Sequence, residues 1–388
     1  MIEQKNILFL SPFFYPEPIS TGKFNSDIAL ALSKNGHQVT VLCFHPLYPD
    51  WKVKESNEKL HQIKIIRGGK NMLFSKKTVI RRFLLEVSYS WFILKNIKKY
   101  QKNIDVVIAV FPPSLYLFSI IPLLSKKLKI VGMVHDLQQL YVSTKKGFLN
   151  RFVTFFINKV EKKCFNACDK LVFLSEEMKN EAEKMYGLNP NKCSVQYPFH
   201  SLKGIFTDNL STILKQKNRN IVYSGALGEK QNPTELIRFF EFATDKIDNV
   251  EFHVFSQGSI FDSLKFANRN SKIKFHDLVA REHLEELYLR SNLQIIPQKP
   301  NTSKGSFPSK LANLLASGCN ILLITDKNSE LENFFSNQKL QTVITTWNFE
   351  VLLSSVQNIL SNSIDTHQQK KIAKELFTID EMIVKILS

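Results

Sequence analysis

The 388-residue sequence carries 52 lysines and arginines against 35 acids, a formal net charge of +17. Its hydrophobic content of 44% excludes a disordered chain, and its length favours two domains over a single core. The five cysteines form no Cys-x-x-Cys pair, so we expect free thiols in a reducing cytosol and no metal site. We expect no signal peptide and no membrane span, because prolines interrupt the longest apolar stretch, 106–124.

Strand-like and helix-like segments alternate along the first half of the chain. A buried strand is predicted at 7–10, followed by a helix-like segment at 26–33 and by Gly36, placed where a helix would end. Further strands are predicted at 39–42, 62–67, 105–111, 129–134 and 170–174. This alternation predicts an α/β fold with a doubly wound parallel sheet.

The same pattern restarts after a polar stretch at 201–219, which we interpret as a linker. The predicted strands are 220–224, 250–255, 272–275, 293–296 and 320–324, and the predicted helices are 233–246, 281–290 and 308–317. We therefore predict two Rossmann-like domains at 1–200 and 205–365, facing a central cleft. A helical tail at 366–388 is expected to pack back toward the N-terminal domain. Ligands of such sheets bind beyond the carboxyl ends of the strands, so the loops there are the candidate sites.

The sequence SGALGEKQNPTEL, residues 224–236, lies between a predicted strand and a predicted helix. Gly225 and Gly228 would allow backbone N–H groups to approach a ligand, and Lys230 adds a positive charge near a helix N-terminus. These features favour a diphosphate site. The spacing excludes a Walker nucleotide-hydrolase loop, and a plain tight turn with an exposed lysine is the alternative.

A second candidate anion site is the sequence NTSKGSFPSKLANLLASG, residues 301–318. Pro308 suits the first turn of a helix, and Ser306 is a candidate cap for it. The other polar or small residues crowded at this helix start are Lys304, Gly305, Ser309 and Lys310. An ordinary capped helix is the alternative interpretation.

Two loops of the first half are weaker candidates. Thr21-Gly22 follows the first strand and precedes a helix, so Gly22 would face the cleft. His135 and Asp136 follow another strand, and His135 could hydrogen-bond a sugar hydroxyl or orient a transferring group. A structural histidine beside a capping aspartate is the alternative.

Taken together, these loops resemble a GT-B glycosyltransferase of the family-4 type, from the bacterial exopolysaccharide and colanic-acid biosynthesis branch. The resemblance rests on PFFYPEPISTGKFN (12–25), FHPLYPDW (44–51), YSGALGEKQ (223–231) and FPSKLANLLASG (307–318). It implies retaining transfer of a sugar from a UDP- or GDP-sugar to a glycan acceptor, expected to be lipid-linked, without a metal or other cofactor. The departing diphosphate would be stabilised by cationic groups.

The resemblance also implies roles for individual residues. His135, Lys230 and Lys310 would be the catalytic residues. The donor-binding residues would be Gly22, Gly225, Gly228, Ser256, Gly258, Leu278, Lys304, Gly305, Ser306, Ser309 and Asn313. Ser256 to Gly258 and His276 to Leu278 resemble the loops that contact the nucleobase.

One departure from the family pattern leaves alternatives open. Many family-4 enzymes carry two glutamates, eight residues apart, where this chain has Gly305 and Asn313. The identity of the donor therefore stays open. A non-catalytic partner subunit of a transferase, or a sugar-nucleotide epimerase or hydrolase on the same fold, are the alternative functions.

The charge is concentrated in residues 51–130, where 17 lysines and arginines face 4 acids, giving +13. Within 75–100, Val79, Phe83, Val87, Trp91 and Leu94 recur at helical spacing. The flanking cations are Lys76, Lys77, Arg81, Arg82, Lys95, Lys98 and Lys99. We predict an anionic membrane surface as partner and a peripheral location at the cytoplasmic face of the plasma membrane. The alternatives are a buried helix face and a merely lysine-rich surface; no nucleic-acid recognition module is apparent.

Overall fold

The computed structural model describes residues 3–48, 50–70, 72–75, 77–138, 148–303, 307–340, 342–362 and 366–388, without the side chains of 78 and 148–153. The chain divides into two compact units. The first unit comprises Met1–Tyr197 and Ile379–Ser388, and the second comprises Pro198–Thr378. The division inside the tail falls at residue 378, whereas the sequence analysis placed the whole tail, 366–388, with the N-terminal domain.

The first unit is built on a seven-stranded parallel sheet in the order β3-β2-β1-β4-β5-β6-β7. Its strands are β1 (Asn6–Leu10), β2 (Gln38–Phe44), β3 (Lys64–Gly68), β4 (Val106–Phe111), β5 (Lys129–Val134), β6 (Lys170–Phe173) and β7 (Cys193–Val195). The central strands β1 and β4 are continuous apolar runs, and every residue of β4 is buried. This is the pattern of parallel strands covered on both faces, and it confirms the predicted fold class.

Helices cover this sheet. They are α1 (Ser20–Lys34), α2 (Thr78–Tyr100), α3 (Leu115–Ile120), α4 (Phe148–Ala167), α5 (Glu176–Tyr186) and, from the end of the chain, α13 (Ile379–Leu387). Helix α1 ends at Lys34, and Gly36 follows with a φ of +89°, the left-handed conformation that glycine adopts readily. Helix α13 packs against α1 and β6 in the same unit.

The second unit contains a six-stranded parallel sheet in the order β10-β9-β8-β11-β12-β13. Its strands are β8 (Arg219–Ser224), β9 (Val250–Phe255), β10 (Ile273–His276), β11 (Leu293–Pro297), β12 (Ile321–Ile324) and β13 (Val343–Ile344). Its helices are α6 (Pro233–Ala243), α7 (Ser259–Ala267), α8 (Leu284–Arg290), α9 (Lys310–Ser317), α10 (Glu330–Asn337), α11 (Phe349–Ser361) and α12 (Thr366–Leu376). The apolar faces of α6 and α11 pack on the sheet.

The predicted tail helix is two helices, α12 and α13, which belong to different units. Helix α12 packs against α9 in the second unit. Phe377, which follows it, is fully buried beside the rings of Phe307 and Phe334. The periodicity of 366–388 therefore reflects two short amphipathic helices that pack against different partners.

Four of the five residues in the predicted apolar row on α2 face solvent, whereas the fifth, Leu94, is partly buried against the core. The row as a whole is therefore not the buried side of the helix. Val79, Phe83, Val87 and Trp91 keep 67%, 66%, 42% and 60% of their surface exposed. The buried side of α2 consists of Leu85, Tyr89, Ile93 and Ile97. Within the described residues, no helix has both the length and the apolar character required to cross a bilayer.

Candidate active site

Two loops that the sequence singled out begin on neighbouring strands of the second unit. Strand β8 pairs with β9 on one side and with β11 on the other. The strands after β8 are thus added first toward one edge of the sheet and then toward the other, so the strand order reverses at this point. Ligands of open α/β sheets bind at such a reversal, beyond the carboxyl ends of the strands. The main-chain N–H of Lys299, after β11, donates to the carbonyl of Lys230, after β8, at 2.7 Å. The two loops are therefore joined directly.

The loop after β8 depends on glycine for its shape. Gly225 has a φ of +128°, a conformation that other residues rarely adopt, and its N–H donates to the carbonyl of Phe255 at 3.0 Å. A Cβ at Gly225 would meet nothing within 4 Å, so the requirement is conformational and not steric. The N–H of Gly228 donates to the side chain of Gln231 at 3.0 Å. Lys230 is exposed at the end of this loop.

Lys310 is the first residue of α9, and its ammonium group points at the ends of the two strands. The Nζ donates to the carbonyls of Ile295 at 3.0 Å and Ser224 at 3.3 Å, and it lies 4.4 Å from the centre of the Tyr223 ring. Burial lowers the pKa of Lys310 to about 7. Lys310 thus fastens β8 to β11 in this structure, a role that the sequence analysis did not assign to it.

The segment that leads into α9 is partly outside the described residues, and Lys304, Gly305 and Ser306 fall there. Helix α9 begins at Lys310, so Pro308 precedes the helix instead of forming its first turn. Ser309 occupies the N-cap position and is exposed, and its side chain makes no capping hydrogen bond.

Asp326, after β12, organises the approach to this helix. Its carboxylate accepts from the N–H of Asn301 at 2.8 Å and from the N–H and hydroxyl of Ser303 at 3.1 and 2.6 Å. Burial alone would raise the pKa of Asp326, but the hydrogen bonds from Ser303 and from the backbone hold the pKa below its ordinary value. Asp326 therefore supports the described part of the loop after β11.

Asn313, on α9, is already engaged by other residues of the second unit. Its Oδ1 accepts from the N–H of Ser201 at 2.7 Å, and the hydroxyl of Tyr288 also hydrogen-bonds its side chain. Asn313 thus anchors the segment that enters the second unit. Its predicted contact with a donor stays a prediction.

The predicted nucleobase loops border a cavity of about 430 Å³ after β10. His276 and Leu278 line it, as does Phe255, whose ring stacks on His276 with centroids 4.6 Å apart. Leu278 is 40% exposed. Ser256 and Gly258 are not among the residues that line this cavity.

Ser256 and Gly258 shape the loop after β9. The Ser256 hydroxyl is buried without a hydrogen-bond partner in the described structure. Gly258 has a φ of +103° and precedes the first residue of α7, so glycine is required there for backbone conformation. The donor contacts predicted for Ser256 and Gly258 stay predictions.

Gly22, in the first unit, is buried against the loop before α1. A Cβ there would come within 2.9 Å of the Cβ of Glu17 and within 3.0 Å of its carbonyl oxygen. Glu17 is 3% exposed, and its carboxylate accepts from the N–H groups of Leu47 and Tyr48 at 2.7 and 3.1 Å. Burial raises the pKa of Glu17 despite these bonds. The tight packing explains why glycine is needed at position 22.

His135 follows β5, and its N–H extends the ladder to the carbonyl of Phe111 at 2.9 Å. Its ring meets Phe24 of α1 edge-on, with centroids 5.1 Å apart. The Nε2 atom is buried and has no hydrogen-bond partner among the described residues, and burial lowers the pKa to about 4. His135 is therefore neutral near pH 7, and one of its ring nitrogens has no partner among the described residues. Asp136 accepts from the N–H of Leu137 at 2.9 Å.

Comparison with known proteins relates the chain to one family. Residues 22–202 match the model of Glycosyltransferase Family 4. The chain is 25% identical over 348 residues to WcaI of Escherichia coli K12, named as a colanic acid biosynthesis glycosyl transferase, with 82% of this chain and 83% of that protein covered. The chain thus carries a family-4 glycosyltransferase domain at residues 22–202 and has the GT-B fold.

Solved structures agree on the fold of this transferase. It superposes on WaaG, a glycosyltransferase involved in lipopolysaccharide biosynthesis, with a TM-score of 0.70, 15% identity, and coverage of 98% of this chain and 100% of that one. Sucrose-phosphate synthase from Thermosynechococcus elongatus gives a TM-score of 0.73 at 13% identity, covering 98% and 97% of the two chains. The superpositions support the fold. The sequence identities are too low to indicate the substrates.

Sequence reasoning missed several residues that shape the transferase's loops. Glu17 and Asp326 each collect main-chain N–H groups from a neighbouring loop, and Glu86 of α2 does the same near His135. Each is a lone acid with an unremarkable local pattern, because its partners lie 23 to 52 residues away in the sequence. Only a three-dimensional arrangement reveals them. No group of three or more potential metal-ligating side chains occurs among the described residues.

Proposed function

We propose that this glycosyltransferase moves a sugar from a nucleotide diphosphate sugar to a lipid-linked glycan acceptor, with retention and without a metal. The observation that carries the proposal is the junction of the loops after β8 and β11. The N–H of Lys299 donates to the carbonyl of Lys230 at 2.7 Å and joins the two loops. The junction combines the exposed Lys230 with the glycine turn at Gly225, at the point where the strand order reverses. Positive charge and close backbone approach are what a leaving diphosphate requires.

The first unit supplies the proposed acceptor side. His135 is neutral and has an unpartnered ring nitrogen, which suits a hydrogen bond to a sugar hydroxyl. The similarity to WcaI supports a surface polysaccharide as the product. UDP or GDP would be the nucleotide, and the 430 Å³ cavity beside His276 is a candidate place for its base.

The exposed row on α2 supports a membrane-bound acceptor. Phe83 and Trp91 are more than half exposed, and Lys95 lies 4.6 Å from the centre of the Trp91 ring. The flanking cations Lys77, Arg82, Lys98 and Lys99 are exposed. Arg81 is half-buried, with its guanidinium 4.2 Å from the centre of the Trp51 ring, and Lys76 is outside the described residues. Such a face can insert aromatic residues among lipid headgroups, while each nearby cation adds about 1 kcal/mol of attraction to anionic lipids.

A transfer assay tests the catalytic proposal. UDP- and GDP-sugars would be incubated with membrane lipid extracts, with magnesium or with EDTA, and the anomeric configuration of the product would be determined by NMR. We expect transfer from one nucleotide class in EDTA, and about a hundredfold loss of turnover in Lys230→Ala, typical of removing a charge stabiliser. Lys246→Ala, an exposed lysine elsewhere in the second unit, is the control.

The alternatives predict different results. Consumption of the donor without an acceptor would indicate an epimerase or hydrolase. Binding of a nucleotide without turnover would indicate a partner subunit. An inverted product, or full turnover in folded Lys230→Ala, would contradict the proposed mechanism.

A vesicle co-sedimentation assay tests the membrane proposal. We expect binding to vesicles that contain 30% phosphatidylglycerol at roughly 0.1 M salt, and loss of binding in Phe83→Ser/Trp91→Ser. Leu289→Ser changes an apolar residue with 53% exposure on the second unit and should bind as wild type does. Equal binding of the double variant and the wild type would refute this role for α2.

A further inference from the structure

Two carboxylates, one partly buried and one fully buried, hold the segment that carries His135. Gln138, three residues after His135, donates its side-chain amide to Glu86 of α2 at 2.6 Å. Its main-chain N–H donates to Glu161 of α4 at 3.2 Å. The segment 135–138 is thus held at one end by the sheet and at the other end by two helices.

Glu86 accepts more than one set of donors. Its Oε2 accepts from the N–H of Leu115 at 2.9 Å and from that of Ser114 at 3.1 Å, while Oε1 takes the Gln138 amide. Burial raises the pKa of Glu86, and these three donors act in the opposite direction. The carboxylate therefore joins α2, the start of α3 and the His135 segment.

Glu161 completes the arrangement from the other side. It is fully buried, and it receives the hydroxyl of Tyr186 at 2.5 Å as well as the N–H of Gln138. Helix α2 also bears the exposed row that contains Phe83 and Trp91. The helix proposed to meet the membrane is thus in direct contact with the segment proposed to meet the acceptor.

We propose that Glu86 is a positioning residue for glycosyl transfer, which sets the orientation of His135 by holding Gln138 against helix α2. This inference rests on the proposed function. It assigns to Glu86 no contact with the substrate. The ring Nε2 of His135 has no partner of its own among the described residues, so the orientation of the ring depends on the backbone that Gln138 fixes and on the Phe24 contact.

Exchange of the residues at positions 86 and 138 keeps the net charge and tests the hydrogen bond between them. In Glu86→Gln, one end of the new amide is a donor. That donor faces either the N–H groups of Ser114 and Leu115, which are donors as well, or Gln138, whose amide must turn over to offer its oxygen. The charge-assisted hydrogen bond to Gln138 is then replaced by a weaker neutral one. In the double variant Glu86→Gln/Gln138→Glu, the oxygen of residue 86 can face the backbone N–H groups, and its nitrogen can face the new carboxylate. All donors then regain acceptors.

Kinetics of the full chain supply the first test. We expect kcat to fall about tenfold in Glu86→Gln and in Gln138→Glu, with KM for the donor unchanged, the size expected for one charge-assisted hydrogen bond. We expect the double variant to return to within threefold of wild type. Tyr89→Phe is the matched control, because it removes a buried hydrogen bond from the same helix, to Leu42 at 2.8 Å, without touching Gln138. It should lower Tm and leave kcat unchanged.

Histidine ring signals supply a test that needs no turnover. In protein labelled with ¹⁵N-histidine, the His135 signals, assigned with His135→Ala, should shift in both single variants, return in the double variant and stay in place in Tyr89→Phe. If Glu86→Gln does not fold, the variant Gln138→Ala is measured in its place, because Gln138→Ala leaves Glu86 with the Ser114 and Leu115 donors.

The two tests separate this inference from the proposed function. Unchanged His135 signals and kcat in folded single variants would overturn the role of Glu86, as would a folded double variant no better than the singles. Absence of transfer by the wild type, with the expected pattern of signals, would overturn the proposed function alone.

Discussion

Replacement of Lys310 by methionine should remove a pH dependence of stability that this one side chain creates. Methionine keeps the apolar stem near Tyr223 and loses the ammonium group that binds the carbonyls of Ser224 and Ile295. Burial lowers the pKa of Lys310 to about 7, whereas an unfolded chain titrates near the reference value of about 10.4.

The sign of the effect follows from proton binding. Between these two pKa values the unfolded chain holds the proton that the folded chain has released. Stability therefore rises with pH from about 7 toward about 10. Over the interval from pH 7 to pH 9, this linkage amounts to about 2 kcal/mol, which corresponds to roughly 4–8 °C in Tm for a unit of this size.

Urea unfolding at pH 7 and pH 9 measures this quantity. The difference in the free energy of unfolding between wild type and Lys310→Met should grow by about 2 kcal/mol over that interval. Lys299→Met, an exposed lysine in the adjoining loop, should keep the pH dependence of wild type. Identical pH dependence in wild type and Lys310→Met would refute the burial of the ammonium group.

Three further predictions concern the loops. If Lys310 contacts the diphosphate, calorimetry at pH 8 in buffers of different ionisation enthalpy should show uptake of nearly one proton on nucleotide binding, and none in Lys310→Met. Gly22→Ala should lower the free energy of unfolding by about 1–3 kcal/mol, because its Cβ would lie 2.9 Å from that of Glu17; an unchanged Tm would contradict that packing. The pKa of Asp326 is depressed in the folded state, so its stabilisation is present above the unfolded value near pH 4 and is lost on acidification below it. The loss of stability in Asp326→Asn should therefore be larger at pH 7 than at pH 3, and equal losses at both would contradict the assignment.

Local sequence determined the elements and the order of the loops. Apolar runs such as Val106–Phe111 and amphipathic repeats such as Pro233–Ala243 are recorded in contiguous residues, so these elements could be predicted to within about three residues of their ends. Helix Ser20–Lys34 begins six residues before its predicted start, and the helices Ser259–Ala267, Glu330–Asn337 and Phe349–Ser361 were not predicted. The edge strands Cys193–Val195 and Val343–Ile344 were missed because three and two residues carry no periodicity. The conformation of Gly225 was predictable because only glycine adopts it readily.

Only the tertiary structure decided what the charged side chains do. Nothing local distinguishes Lys230, which is exposed, from Lys310, which turns toward the ends of two strands that are separated by some 70 residues in sequence. The same holds for Glu86, whose partners lie 28 to 52 residues away, and for the apolar row on α2, which could have been buried or exposed. Hydrogen bonds and burial depend on which surfaces meet, and the meeting of distant segments is fixed by the packing of the whole unit.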